Sequence, residues 1–282
     1  MAQSLLGQMK EFLTKKGWLS TRPLFVTIDG DGFIYRSGFD HRSVGELIYD
    51  EILCVYPYCF TASFIAGEME KYPAEFDVDL VREILALENV EAASHSWSHP
   101  HDWVSEDVDI EQETTHSVRY IEQRLLPQGK KVKLFLWTGK CNPTEQALAA
   151  VDRLGIGNLN GCNPFVPWVW VGKSLQFSAR AYDDWHYMDL GRLIRETGGS
   201  SVYSFLKGYH GRLDGFSRII TFYHDHPDLP VHVYFHWYSA VRRESLDALK
   251  KVLDWCSDQG CRPVFASDYV TDLRASITRV SR

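Results

Sequence analysis

The sequence predicts an α/β fold: a single (β/α) barrel of distorted TIM-like type, with seven or eight mostly parallel strands. Three observations carry this. Short apolar, β-branched runs alternate with amphipathic segments of helical period along most of the 282 residues. The hydrophobic fraction of 45% suffices for one substantial core, and α/β barrels of this length form single domains. Polar residues crowd the carboxyl ends of several apolar runs, which is where barrel enzymes carry their chemistry.

Taken in order, the runs 23–28, 60–65, 90–94, 131–137, 155–159, 175–181, 231–237 and 263–267 read as strands. Segments 44–54, 79–87, 110–126, 144–154 and 244–257 have helical period and length. The stretches 164–173 and 188–226 break the rhythm and read as long loops or an extra helix over the barrel mouth. The chain, 1–282, thus reads as one domain, with residues 1–20 an outer N-terminal helix on which Leu5, Leu6, Met9, Phe12 and Leu13 recur at helical spacing.

That first segment lacks the charged-then-apolar order of a signal peptide, and no run approaches the roughly 18 apolar residues that span a bilayer. As written the chain reads as cytoplasmic; removal of a signal would make it periplasmic or secreted. The six cysteines (Cys54, Cys59, Cys141, Cys162, Cys256, Cys261) are too scattered for a disulfide framework and read as free thiols. Cys256 and Cys261 have no second pair at matching spacing to complete a zinc site. A net charge of −7 without a Lys/Arg run excludes a nucleic-acid partner. Nine Trp and fourteen Tyr suit either a core or a site that stacks sugar rings.

Three clusters carry candidate chemistry. In Thr27-Ile28-Asp29-Gly30-Asp31-Gly32 an apolar strand runs into two carboxylates, which can aim at one spot only if the backbone bends, as glycine permits. A plain Asp-Gly turn is the alternative. In His95-Ser96-Trp97-Ser98-His99-Pro100 two histidines at i and i+4 would lie on one side of a helical turn, close enough to share a cation. In Val231-His232-Val233-Tyr234-Phe235-His236, alternation puts His232, Tyr234 and His236 on one strand face, with His236 at the mouth and His232 in the core. A fourth string, His224-Asp225-His226-Pro227, reads as a solvated loop.

The first two clusters resemble the opening motifs of the NodB-like polysaccharide deacetylases, carbohydrate esterase family four, over about residues 25–269. The family's usual Thr-Phe-Asp-Asp-Gly is here interrupted by Gly30. That variant, with Gly139-Lys140-Cys141-Asn142-Pro143, Asn158-Leu159-Asn160-Gly161 and His236-Trp237-Tyr238-Ser239, is similar to the deacetylase domain of the Pel biofilm polysaccharide system. The resemblance implies metal-dependent hydrolysis of N-acetyl groups on an amino-sugar glycan. Asp29 would be the base, His236 the acid, and Asp31, His95 and His99 the ligands of one divalent ion, zinc by family default with cobalt or nickel possible. A cation held by one carboxylate and two imidazoles keeps open positions for water and an acetamide oxygen. Trp103, Trp137, Asn160 and Asp184 are the candidates for sugar contact.

One departure stands out. The arginine that orients the base in the family has no counterpart in 134–139, and Arg180 or Asp184 could take its place. Without it, a barrel that binds glycan but turns over weakly or not at all is the alternative. A haloacid-dehalogenase-type phosphatase also opens on Asp-x-Asp-Gly, but it expects Thr where Phe33 stands and has no use for His95 and His99.

Overall fold

The computed structural model describes residues 22–160, 168–178, 220, 223–225, 227 and 229–280. The expected N-terminal helix over 1–20, Cys162, Arg180, Asp184 and His226 lie outside the described residues. Strand β1 (Pro23–Asp29) is apolar except for Thr27 and the terminal Asp29, and all of it is buried. Such a run suits a strand covered on both faces, as parallel strands are.

After β1 comes α1 (Val44–Ile48), started by a capping box in which Ser43 accepts from Glu46 N and the Glu46 side chain accepts from Ser43 N. The predicted helix 44–54 continues past α1 as a π-helical segment, Tyr49–Leu53. Next are β2 (Phe60–Phe64), the short α2 (Glu68–Lys71), and α3 (Val78–Ala86), capped by Asp77. β3 (Val90–Ser94) leads through a π-helical segment, Glu111–His116, into α4 (Ser117–Arg124). β4 (Val132–Leu136), α5 (Glu145–Arg153, capped by Thr144) and β5 (Gly157–Leu159) follow. The remaining elements are β6 (Trp168–Val171), β7 (Ser174–Phe177), β8 (Val231–His236), α6 (Arg243–Asp258), β9 (Arg262–Pro263) and α7 (Ala266–Val280).

The main sheet has seven strands, all parallel, in the order β5-β4-β3-β2-β1-β8, with β9 also paired to the start of β1. This is the curled, mostly parallel α/β sheet of a distorted barrel. Two expectations are corrected. The described part of the strand expected at 175–181 lies in β7, which pairs antiparallel with β6 in a separate hairpin and not with the barrel strands. The strand expected at 263–267 shrinks to Arg262–Pro263, because Ala266 already opens α7.

Parallel pairing fixes which residues share a face. The register Phe25↔His232, Thr27↔Tyr234, Asp29↔His236 puts six side chains on the inner face, with Thr61, Ser63 and Glu91 beyond them. The alternate residues Leu24, Val26, Ile28, Phe60, Ala62, Phe64, Val231, Val233 and Phe235 face the other way and are all buried. Helix α7 covers the amino-terminal end of the inner face. Tyr269 stacks on Phe25 at 4.6 Å, Ser267 N–H donates to Glu91 Oε1 at 3.1 Å, and Gly157 lies against Val270. With that end plugged, the carboxyl ends of the strands are left as the place for a site. No helix among the described residues is long and apolar enough to cross a membrane.

Phe64 anchors the outer layer, stacked on Trp237 at 5.4 Å and edge-on to Phe33 at 5.2 Å. Phe64→Ala is expected to cost about 3–5 kcal/mol. Urea titration should show a lowered midpoint with an unchanged slope.

Candidate active site

Asp29 is the last residue of β1, and Gly30 carries the chain across the sheet top. A Cβ on Gly30 would stand 2.9 Å from Ile65 N and 3.0 Å from His95 Cβ, so only glycine lets the two acids approach the β2 and β3 loops. Gly32, at φ +80°, turns the chain back over Tyr238. The bend expected from the sequence is therefore present, with close approach at Gly30 and left-handed backbone at Gly32.

His95 directly follows β3, but the segment to His99 is not a helical turn. It is an irregular loop in which Ser96 (φ 65°) and His99 (φ 62°) both adopt left-handed backbone, and this brings the two imidazoles to 5.0 Å between centroids. Such conformations cost about 1–3 kcal/mol each and persist only where surroundings impose them. Glu113 supplies that constraint: its buried carboxylate accepts from Trp97 N at 2.9 Å, Ser98 N at 2.8 Å and the Ser98 hydroxyl. Ser96 Oγ accepts from His99 N at 3.0 Å. A second brace comes from the loop after β4, where Lys140 and Asn142 both donate to Asp102 and Lys140 N donates to His101 O.

These loops converge on Asp31. His95 Nε2 lies 3.1 Å from Asp31 Oδ2, and His99 Nε2 lies 3.2 Å from Asp31 Oδ1. Burial by itself would raise the Asp31 pKa, but the charge of His99 and hydrogen bonds from His95 and His99 outweigh it and hold the carboxyl well below its usual range. His95 shows the converse: burial disfavours its charge, yet Asp29 and Asp31 raise its pKa above the ordinary value. Ring orientation is set from behind, since Leu136 O can only accept and so takes the Nδ1 proton of His95 at 3.0 Å. With Nδ1 so engaged, Nε2 is the ring atom that would bind an ion in place of its proton, the usual arrangement for a metal-binding histidine. The three ligand atoms lie within 4.8 Å of one another. One carboxylate and two imidazoles at this spacing fit a divalent metal ion.

Beside the triad, Asp29 is 2% exposed and held on both oxygens. Asn160 Nδ2 lies 3.0 and 2.9 Å from its two oxygens, and the Tyr234 hydroxyl donates to Oδ2 at 2.7 Å. The Tyr234 oxygen in turn lies 3.0 Å from His236 Nε2, whose ring stacks on Tyr238 at 4.3 Å. Asn160 is a third left-handed residue (φ 83°), and it does not present a sugar contact: its side chain is fully buried on Asp29. Asn160 and Tyr234 are thus the side chains that hold Asp29 in place.

The two tryptophans expected to meet sugar are both buried. Trp103 is 2% exposed with its indole N–H on Thr138 Oγ1, and Trp137 is 0% exposed with its N–H on Asn158 Oδ1; both belong to the core. His232 is a core residue bonded to Thr27 Oγ1, and His224 is exposed beside Asp225. Instead of those tryptophans, Trp97 borders the site. It lines a cavity of about 400 Å³ with Ile65, Glu68, Tyr72, Ser98 and His99. Trp97 sits between the two histidines of the motif, which was the available signal for it. Glu113 had none, because its partners, two backbone N–H groups and the Ser98 hydroxyl, lie in a different segment of the chain.

No protein-family model matches this chain, and no curated protein matches it. Solved structures do. A peptidoglycan deacetylase, PdaC from Bacillus subtilis, superposes with TM-score 0.52 at 14% identity, covering 93% of this chain and 98% of that one. The T48 deacetylase, solved with substrate, gives 0.50 at 15% identity over 91% and 92%. A CE4 family pseudoenzyme from Bacillus anthracis gives 0.50 at 13% identity over 88% and 65%. The class is thereby a fold class: this chain has the α/β half-barrel fold found in carbohydrate esterase family four deacetylases.

Glu113→Gln replaces the carboxylate clamp on the 95–99 loop with one acceptor and one donor. Affinity for added zinc, read by calorimetry, is expected to fall about 10–100-fold without loss of fold.

Proposed function

We propose that this chain is a metal-dependent hydrolase that removes N-acetyl groups from an amino-sugar glycan. The observation that carries this reading is the pairing, within one buried cluster, of a base held by Asn160 and Tyr234 with the Asp31–His95–His99 ligand set. A fold shared with deacetylases supports it, and a deacetylase-type site is the natural use of such a pairing. The motif variant Asp29-Gly30-Asp31-Gly32 further supports an exopolysaccharide substrate of the kind the Pel deacetylase domain acts on.

A divalent ion, zinc first with cobalt or nickel as alternatives, would supply Lewis-acid polarisation of the acetamide carbonyl and make water more acidic. Asp29 takes the proton of the attacking water. The hydrogen bonds it accepts from Asn160 and Tyr234 aim it. His236 donates a proton to the sugar nitrogen as the C–N bond breaks, so acetate and a free amine leave. Tyr234, between Asp29 Oδ2 and His236 Nε2, keeps base and acid on one line and gives a short route by which the proton gained at one is balanced at the other. The glycan-binding reading rested on the absent arginine, and Asn160 with Tyr234 supports activity in its place.

The test is acetate release from N-acetylglucosamine and N-acetylgalactosamine oligomers, with and without chelator and added zinc or cobalt. Chelator-sensitive release is expected; none with any metal would overturn the reading. Asp29→Asn should keep the metal, read by elemental analysis, and lose at least about 10²-fold in kcat. Asp31→Ala or His99→Ala should lose metal and turnover together.

A further inference from the structure

We propose that Cys256 and Cys261 are a disulfide-forming pair, a covalent clasp between the end of α6 and the start of β9. The inference is independent of the deacetylase reading. It concerns the opposite end of the sheet from the candidate site, since β9 pairs with Pro23 and Leu24 at the start of β1.

The pairing is built by the way α6 stops. Gly260, at φ +63°, takes the left-handed conformation that ends many helices. Its N–H donates to Ser257 O at 2.9 Å, and Cys261 N donates to Cys256 O at 3.1 Å; these are the two reversed bonds of a Schellman turn. Such a turn sets the residue after its glycine against the residue three before the helix cap, and here both are cysteine. The bond from Cys261 N to Cys256 O keeps the two Cα atoms within about 7 Å, the span that a disulfide bridges. Closing the bridge therefore asks for little movement of the backbone.

The side chains complete the contact, with the Cys256 thiol donating to the Cys261 sulfur. Arg22 stands near both sulfurs, fixed by Nε on Leu229 O at 2.7 Å and Nη2 on Tyr223 O at 3.0 Å. The hydrogen bond from Cys256 and the Arg22 charge outweigh burial and hold the Cys261 thiol below its ordinary range, which marks it as the nucleophile of the pair. The oxidant is an organic disulfide, free or carried by a thiol oxidoreductase. The Cys261 thiolate attacks one of its sulfurs, forming a mixed disulfide and releasing one thiolate. Cys256 gives up its proton and attacks the Cys261 sulfur, so the bridge forms and the second thiolate leaves. Two cysteine thiols are oxidised, and one disulfide is reduced to two thiols. Both cysteines are buried in the finished fold, but residues 256–261 make the turn by themselves, so the exchange is open while the chain folds. The bond fastens α6 to β9, whose Arg262 N donates to Arg22 O at 2.7 Å.

The experiment refolds the full chain from urea in a buffer of reduced and oxidised glutathione and, in parallel, in excess reductant. Free thiols are then blocked with iodoacetamide, and peptides are mapped by mass spectrometry without reduction. In glutathione the peptide that carries both Cys256 and Cys261 is expected to be two hydrogens lighter and unalkylated; in reductant it should carry two alkyl groups. The bridged chain should melt about 3–5 °C above the reduced one, as closing a short loop in the unfolded chain implies. Cys261→Ser should melt alike in both buffers. Alkylation of both cysteines after refolding in glutathione, or glutathione attached to either one in place of the bridge, overturns the pairing. Equal melting temperatures for bridged and reduced wild type overturn the clasp. Mapping and melting both read wild type, so a variant that fails to fold leaves the test intact.

Discussion

The parallel pairing of β1 with β8 is the contact on which the site depends. Residues more than two hundred positions apart are set side by side by six consecutive register pairs, ending at Asp29↔His236. A slip of one residue between them would turn either Asp29 or the Tyr234–His236 pair to the outer face and break the cluster, because side chains alternate along a strand. Register is held by the outer face, where Leu24, Val26, Ile28, Val231, Val233 and Phe235 are all buried. Hydrophobic burial on one side of the sheet thus positions the polar chemistry on the other.

Buried carboxylates then do the local building, each for a different loop. Glu113 holds the 95–99 loop, Asp102 ties the loop after β4 to the one after β3, and Glu91 receives the start of α7. In each case the acceptor takes backbone or side-chain N–H groups, the arrangement in which a buried charge is tolerated. Asp29 follows the same logic with Asn160 and Tyr234. The stored strain is concentrated there as well: of the five non-glycine residues with positive φ among those described, Ser96, His99 and Asn160 lie at the site. The hydrogen bonds made by these loops offset that strain and bring both imidazoles against the Asp31 carboxylate.

Much of this architecture is written in local pattern. Apolar runs of strand length and helical periodicity located β1–β5, β8 and most helices within a few residues. Helix α7 escaped notice although Tyr269, Val270, Leu273 and Ile277 recur at helical spacing, because the apolar run beginning at Pro263 read as a strand that overlapped its first turn.

The sequence by itself determined the alternation of strands and helices, and it marked Asp29, Asp31, His95, His99 and His236 as strand-end residues of matching chemistry. Such residues are legible because strand ends and metal-type donor spacing are short-range properties of the chain. Only the tertiary structure decided that β7 leaves the barrel for a hairpin, that α7 plugs its base, that Trp103 and Trp137 are core, and that Asn160 and Tyr234 hold Asp29 where an arginine was expected. Those outcomes turn on which distant segments meet, and a hydrogen bond across 131 residues, such as Asn160 to Asp29, leaves no trace in either neighbourhood.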